Sequence, residues 1–112
     1  MEIIDRCVSV NKHEAMARLK PMLNGYFSNW NESYIGVTTH PSDRARKHSV
    51  NGWLKMVLMY RADNPRIAAA LERDLIDYAR RCNFRIDVLN VGDGGENTQF
   101  QSGHVFLYLL LR

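Results

Sequence analysis

Apolar residues along the chain fall into two rhythms, and their alternation lays out the elements. Ile3 to Val10 alternates loosely and is rich in β-branched residues, which predicts a first strand. The rhythm then lengthens. Ala15, Met16, Leu19 and Leu23 recur at helical spacing, with Asn11 as N-cap and Glu14 three residues on as its capping-box partner. This predicts an amphipathic helix over 12–23, closed by Asn24-Gly25 in a left-handed cap. Pro21 falls late in it, where proline kinks a helix or ends it early. Tyr26 to Ser33 mixes aromatics with polar turn formers and reads as a short strand and turn.

Tyr34 to Thr38 is a short β run. His40-Pro41 then places proline where the first turn of a helix tolerates it, so a basic helix is expected from Pro41 to Ser49. After the Asn51-Gly52 turn, Leu54 to Tyr60 is almost continuously apolar, as a strand covered on both faces would be. Asp63-Asn64-Pro65 opens a helix over 65–82 whose stripe is Ala68, Leu71, Leu75, Tyr78, Ala79 and Cys82. Arg85 to Leu89 alternates as a fifth short strand or extended segment. Val91 to Gln99 is a polar, glycine-rich loop, and His104 to Leu111 closes the chain as a strand. The expected class is α+β: one domain over 1–112, with a small mixed or antiparallel sheet of roughly three to five strands flanked by about three helices.

Composition changes this picture little. The 46% apolar and 24% charged shares are those of an ordinary globular domain, and +3 is a mild basic excess that permits a polyanionic partner without requiring one. Positive charge is concentrated at Arg44, Arg46, Lys47 and His48. The longest apolar run, Val105 to Leu111, is seven residues, far below a membrane span, and Met1 to Arg6 lacks a secretory pattern. An intracellular protein, cytoplasmic or nuclear, is the expectation. Cys7 and Cys82 read as thiols of a reducing compartment, with a single disulfide left open.

Four positions carry candidate chemistry. Arg44 and His48 share one helix face at i and i+4, and Tyr34 opens the strand before them. Glu72 lies on the shoulder of the apolar stripe. A carboxylate there either snorkels to an arginine or faces a cleft, where it can hold a divalent cation.

Taken together, Tyr34-Ile35-Gly36, an arginine ten residues after the tyrosine, a histidine four further on and a glutamate within a later helix resemble the GIY-YIG nuclease superfamily. The similarity covers Tyr34 to about Asn90, which would match an asparagine many members carry after the glutamate helix. The resemblance implies a metal-dependent DNA endonuclease with one Mg²⁺ or Mn²⁺ on Glu72. Arg44 would bind the scissile phosphate, and His48 would orient or relay a proton taken by a tyrosine. The family's first motif half, Gly-Ile-Tyr, stands about ten residues before the second. Here Gly25-Tyr26-Phe27 lies closer, and Tyr108 on the closing strand is the other candidate. The general base therefore stays open among Tyr26, Tyr34 and Tyr108. The alternative is a catalytically inactive module of the same fold that binds nucleic acid or protein. In either case, so small a domain leaves target choice to a dimer or a partner.

Other patterns carry less. Gly92-Asp-Gly94-Gly95 has no helix and lysine in P-loop register, and the histidine spacings fit no zinc site. Trp30, Trp53 and Phe100 are available for base stacking, although core or turn packing is the commoner use.

Overall fold

The computed structural model describes residues 1–92, 94 and 104–112. Its elements in order are β1 (Glu2–Asp5), α1 (Lys12–Phe27), β2 (Glu32–Thr38), α2 (Pro41–Ser49), β3 (Lys55–Ala62), α3 (Pro65–Arg81), β4 (Asp87–Val88) and β5 (Val105–Leu111). The last strand of the chain is the middle of the sheet. The order is β1-β3-β5-β2-β4, with β5 antiparallel to both neighbours and each outer strand parallel to the one inside it. This is the α+β class with a mixed sheet that the sequence pattern indicates.

Hydrophobicity explains the order. In β5 every residue but the half-buried Phe106 is buried, and β3 is nearly as apolar, so both need cover on two faces and take inner positions. On one face α1 and α3 cover Ile35, Val57, Leu107 and Leu109 with Leu19, Leu23, Phe27 and Leu75. On the other, the shorter α2 covers a smaller cluster of Ala45, Trp53, Met56, Leu58, Tyr108 and Leu110. Registry assigns side chains to these faces: Tyr34, Gly36 and Thr38 of β2 lie opposite Leu110, Tyr108 and Phe106 of β5. All six face α2's side of the sheet.

Several element boundaries differ from the sequence expectation. The first helix does not stop at Asn24-Gly25 but continues to Phe27, with Pro21 inside it. Pro21 is exposed, while Leu23 and Phe27 beyond it are 0% and 2% accessible, so burial of these two offsets the hydrogen bond lost at proline. The Phe27 ring also meets Phe84 edge-on at 6.4 Å. The expected strand at Tyr26 is therefore the last turn of α1. Gly52 and Gly94 are the positive-φ residues among those described, so Gly25 closes nothing.

β1 ends at Asp5 rather than Val10: the Asp5 carboxylate accepts the Cys7 N–H at 3.0 Å, and beyond it only the Arg6 and Val8 N–H groups still donate to β3, to the Leu58 and Met59 carbonyls at 2.9 and 3.1 Å. Helix α3 starts as expected, with the Asn64 side chain accepting from the Ile67 N–H.

β4 is only two residues long, but pairing continues through a side chain. Ile35 N–H donates to Asn90 Oδ1 at 2.9 Å, and Asn90 Nδ2 donates back to the Ile35 carbonyl at 2.7 Å. An asparagine amide thus replaces one residue of strand beside β2. Of the stretch expected as a glycine-rich loop, residues 93 and 95–99 lie outside the described residues, as does Phe100. Both cysteines are free thiols. Among the described residues no helix is long and apolar enough to cross a membrane.

Candidate functional site

Gly36 explains why a tyrosine fits where it does. Its register partner on β5 is Tyr108, and the Tyr108 ring lies across the glycine: a Cβ at Gly36 would stand 2.5 Å from the hydroxyl oxygen and 2.6 Å from Cζ. The Tyr-Ile-Gly tripeptide therefore leaves a seat for a phenol from the neighbouring strand. That phenol is 2% accessible, and its hydroxyl is 2.9 Å from His48 Nε2, which approaches from α2. Tyr34, two residues before Gly36 and on the same face, completes the group. Its ring centroid is 5.7 Å from His48 and 6.5 Å from Tyr108.

Three aromatic side chains from β2, α2 and β5 thus meet in one place. The meeting follows from local chemistry. Pro41 starts α2 directly after β2, the buried Ala45 seats the helix on the sheet, and Arg44 and His48 flank Ala45 on the same side. Arg44 is half-buried, and its guanidinium makes no hydrogen bond or ion pair among the described residues. The outward Arg46, by contrast, is spent on Asp43.

Electrostatics assign different states to the members of the group. Burial, with the Arg44 charge adding to it, pushes the His48 pKa below its ordinary 6.5, so the imidazole is neutral at pH 7. Burial above all, then Tyr34, raises the Tyr108 pKa well above a free phenol's; Arg44 opposes this and Glu72 adds to it. Tyr108 therefore stays protonated and inside, whereas Tyr34 is only partly covered and reaches a cleft.

That cleft, about 290 Å³, is lined by Tyr34, Glu72, Ile76, Asn90, Gly92 and Gly94, among others. Glu72 comes to it from α3 and is 8% accessible, an unusual place for a carboxylate. The far wall is closely fitted: a Cβ on Gly94 would stand 2.7 Å from Ile76 Cδ1 and 3.3 Å from Glu72 Cγ. Arg80 ties the same wall down by donating to the carbonyls of Asn90 at 3.0 Å and Gly92 at 2.6 Å. In the sequence Arg80 stands out only as part of the basic pair Arg80-Arg81, not as a candidate site residue. Its only signal was an arginine two turns after Glu72 on the same helix.

The structure thus gathers Tyr34, His48 and Tyr108, places Arg44 beside them and puts Glu72 on the cleft that Tyr34 reaches. It does not bring Tyr26 there. Tyr26 sits in the last turn of α1 against the larger core cluster, whereas Tyr34 belongs to the cluster on α2's face. The second tyrosine beside Tyr34 is Tyr108. Asn90 is close by, but both functional ends of its amide are occupied by the Ile35 backbone. Trp30 and Trp53 are likewise engaged, lying under Lys55 at 5.4 Å and Arg112 at 4.3 Å. No family model, curated protein or solved structure matches the chain.

For a divalent ion, the donor set is narrow. Among the described residues no three His, Cys, Asp or Glu side chains converge, so Glu72 is the one carboxylate on the cleft. A single carboxylate suits Mg²⁺ or Mn²⁺, which keep several waters and complete their shell with phosphate oxygens.

The His48 environment makes a stability prediction. Its folded pKa lies below the unfolded 6.5, so in that window the unfolded chain holds a proton that the native state does not. Stability contributed at pH 7 is therefore lost as pH falls through 6.5 toward the folded pKa. Thermal melts from pH 7 to pH 5 should show Tm falling, and His48→Gln should flatten that part of the curve. An unchanged slope in the variant would remove His48 as its source.

Proposed function

We propose that this chain is a metal-dependent phosphodiesterase acting on DNA, a GIY-YIG-like domain in which the closing strand β5 supplies the tyrosine usually carried by the first motif half. The observation that carries the reading is the packing of Tyr34, His48 and Tyr108 within one group, next to Arg44 and a cleft that also holds Glu72. The β5 register supports it, because Tyr108 stands directly across from the glycine of Tyr-Ile-Gly.

In this reading the residues divide the work. Tyr34, at the cleft, touches the attacking water or the phosphate. Tyr108, buried and protonated, holds the His48 ring through the bond to Nε2. With Nε2–H donating to the Tyr108 oxygen, the neutral imidazole keeps Nδ1 free to take up a proton. The Arg44 guanidinium binds two phosphate oxygens in a fork and offsets charge that builds in the transition state. A bound Mg²⁺ or Mn²⁺ on Glu72 would polarise the phosphodiester and stabilise the leaving oxygen.

Nicking of supercoiled plasmid tests this reading. The wild-type protein should nick with Mg²⁺ or Mn²⁺ and not in EDTA. Arg44→Lys, which keeps the charge and loses the fork, should nick about tenfold more slowly. Salt-sensitive DNA binding without cleavage in either metal would replace the enzyme reading with that of a binding module of the same shape.

A further inference from the structure

A groove of about 770 Å³ lies away from Glu72, at the carboxyl ends of β1 and β3. Its lining includes Asp5, Cys7, Lys12, Arg61, Asp63 and Phe106. One of these, Arg61, is placed there by an irregularity. Tyr108 pairs with Leu58, but the next residue back on β5, Leu107, pairs with Tyr60, so β3 carries a bulge between Leu58 and Tyr60. Regular pairing would put Arg61 opposite Val105, which faces the α1 and α3 core. The bulge instead puts Arg61 opposite Phe106, on the face that carries Tyr108 and Tyr34. Bulges re-aim side chains in this way.

The result is an exposed guanidinium beside a half-buried phenyl ring, with cross-strand Cβ atoms about 5 Å apart. Phe106 is two residues from Tyr108, and Phe106, Cys7 and Tyr34 pack on the same small cluster, so the groove and the candidate site share a floor. The charge of the lining is balanced. Lys12 and Arg61 stand against Asp5, which accepts from the Cys7 N–H, and Asp63, which is 3.7 Å from His104. A channel for successive phosphates would be mainly cationic. A ring to stack on, one cation beside it and a mixture of donors and acceptors instead match a single nucleotide.

We propose that Phe106 and Arg61 form a nucleotide subsite that holds an unpaired nucleotide next to the scissile phosphate, its base on the Phe106 ring and its phosphate on Arg61. The proposal rests on the nuclease reading above and adds a preference to it: substrates with a single-stranded stretch beside the cleavage point.

The test is fluorescence anisotropy in EDTA with a labelled oligodeoxynucleotide, either single-stranded or as blunt duplex, for wild type, Phe106→Leu and Arg61→Gln. Phe106→Leu keeps apolar bulk on the cluster and removes the ring, so it separates stacking from folding. It should bind the single strand about tenfold more weakly and leave blunt duplex nearly unchanged. Arg61→Gln should reduce the slope of log K against log salt by about 0.7 for the single strand. Single-strand binding equal to wild type in both variants overturns the subsite and leaves the nuclease reading standing. If wild type nicks plasmid but binds no single strand, the subsite again falls alone. If it neither nicks nor binds, both readings fall.

Discussion

Glu72→Gln is expected to abolish metal-dependent nicking while leaving the fold intact. Glu72 is 8% accessible and lines the cleft that Tyr34 reaches. Glutamine keeps its shape and its capacity to accept a hydrogen bond, but it gives up the charge that would hold a divalent ion. If the carboxylate holds the ion, the nicking rate should fall about a hundredfold or more, since the lost charge stabilisation is worth several kcal/mol. Far-UV circular dichroism and Tm measured alongside should show a folded protein. Undiminished nicking in this variant would mean that the metal, and with it the chemistry, lies elsewhere.

The second large effect is expected far from any charge. Gly36→Ala would put a Cβ 2.5 Å from the Tyr108 hydroxyl oxygen and 2.6 Å from Cζ, so one of them must move. The ring has little room: Tyr108 is 2% accessible, sits on the middle strand and is held by His48 at 2.9 Å. Overpacking of this kind costs about 1–3 kcal/mol, which for a domain of this size lowers Tm by roughly 5–15 °C. The same displacement pulls the hydroxyl from His48, so nicking should drop in protein that is still folded at the assay temperature. A Tm within a degree of wild type would show that the ring tilts freely, and the positioning role given to Tyr108 would fail with it.

Much of the fold was legible in the chain because local chemistry decided it. Pro41 and Pro65 start their helices where proline is tolerated, Asn64 caps α3, and the apolar run of Val105–Leu111 needs cover on both faces. What was not legible depended on distant partners. Pro21 and Gly25 look like the end of a helix, and only the burial of Phe27 carries α1 past them. No local pattern says that the last strand inserts between β2 and β3.

The candidate site divides in the same way. Tyr34, Arg44 and His48 are joined by a strand, a proline start and one helical turn, so their proximity could be read directly. Tyr108 is separated from them by more than half the chain and reaches them only through the β5 register. Tyr26 was nearer in sequence, but the helix took it. The bulge that turns Arg61 toward Phe106 left no mark in the local sequence, because it exists only relative to β5.

In the proposed nuclease, Tyr34, Arg44, His48 and Tyr108 would share one phosphodiester site with a metal-binding Glu72. The most direct measurement is the anomalous difference density of a crystal soaked in Mn²⁺. A peak is expected within the cleft, bonded to the Glu72 carboxylate on the side that Tyr34 faces. A Glu72 side chain turned away from the other four, or Mn²⁺ bound only at other residues, would contradict it.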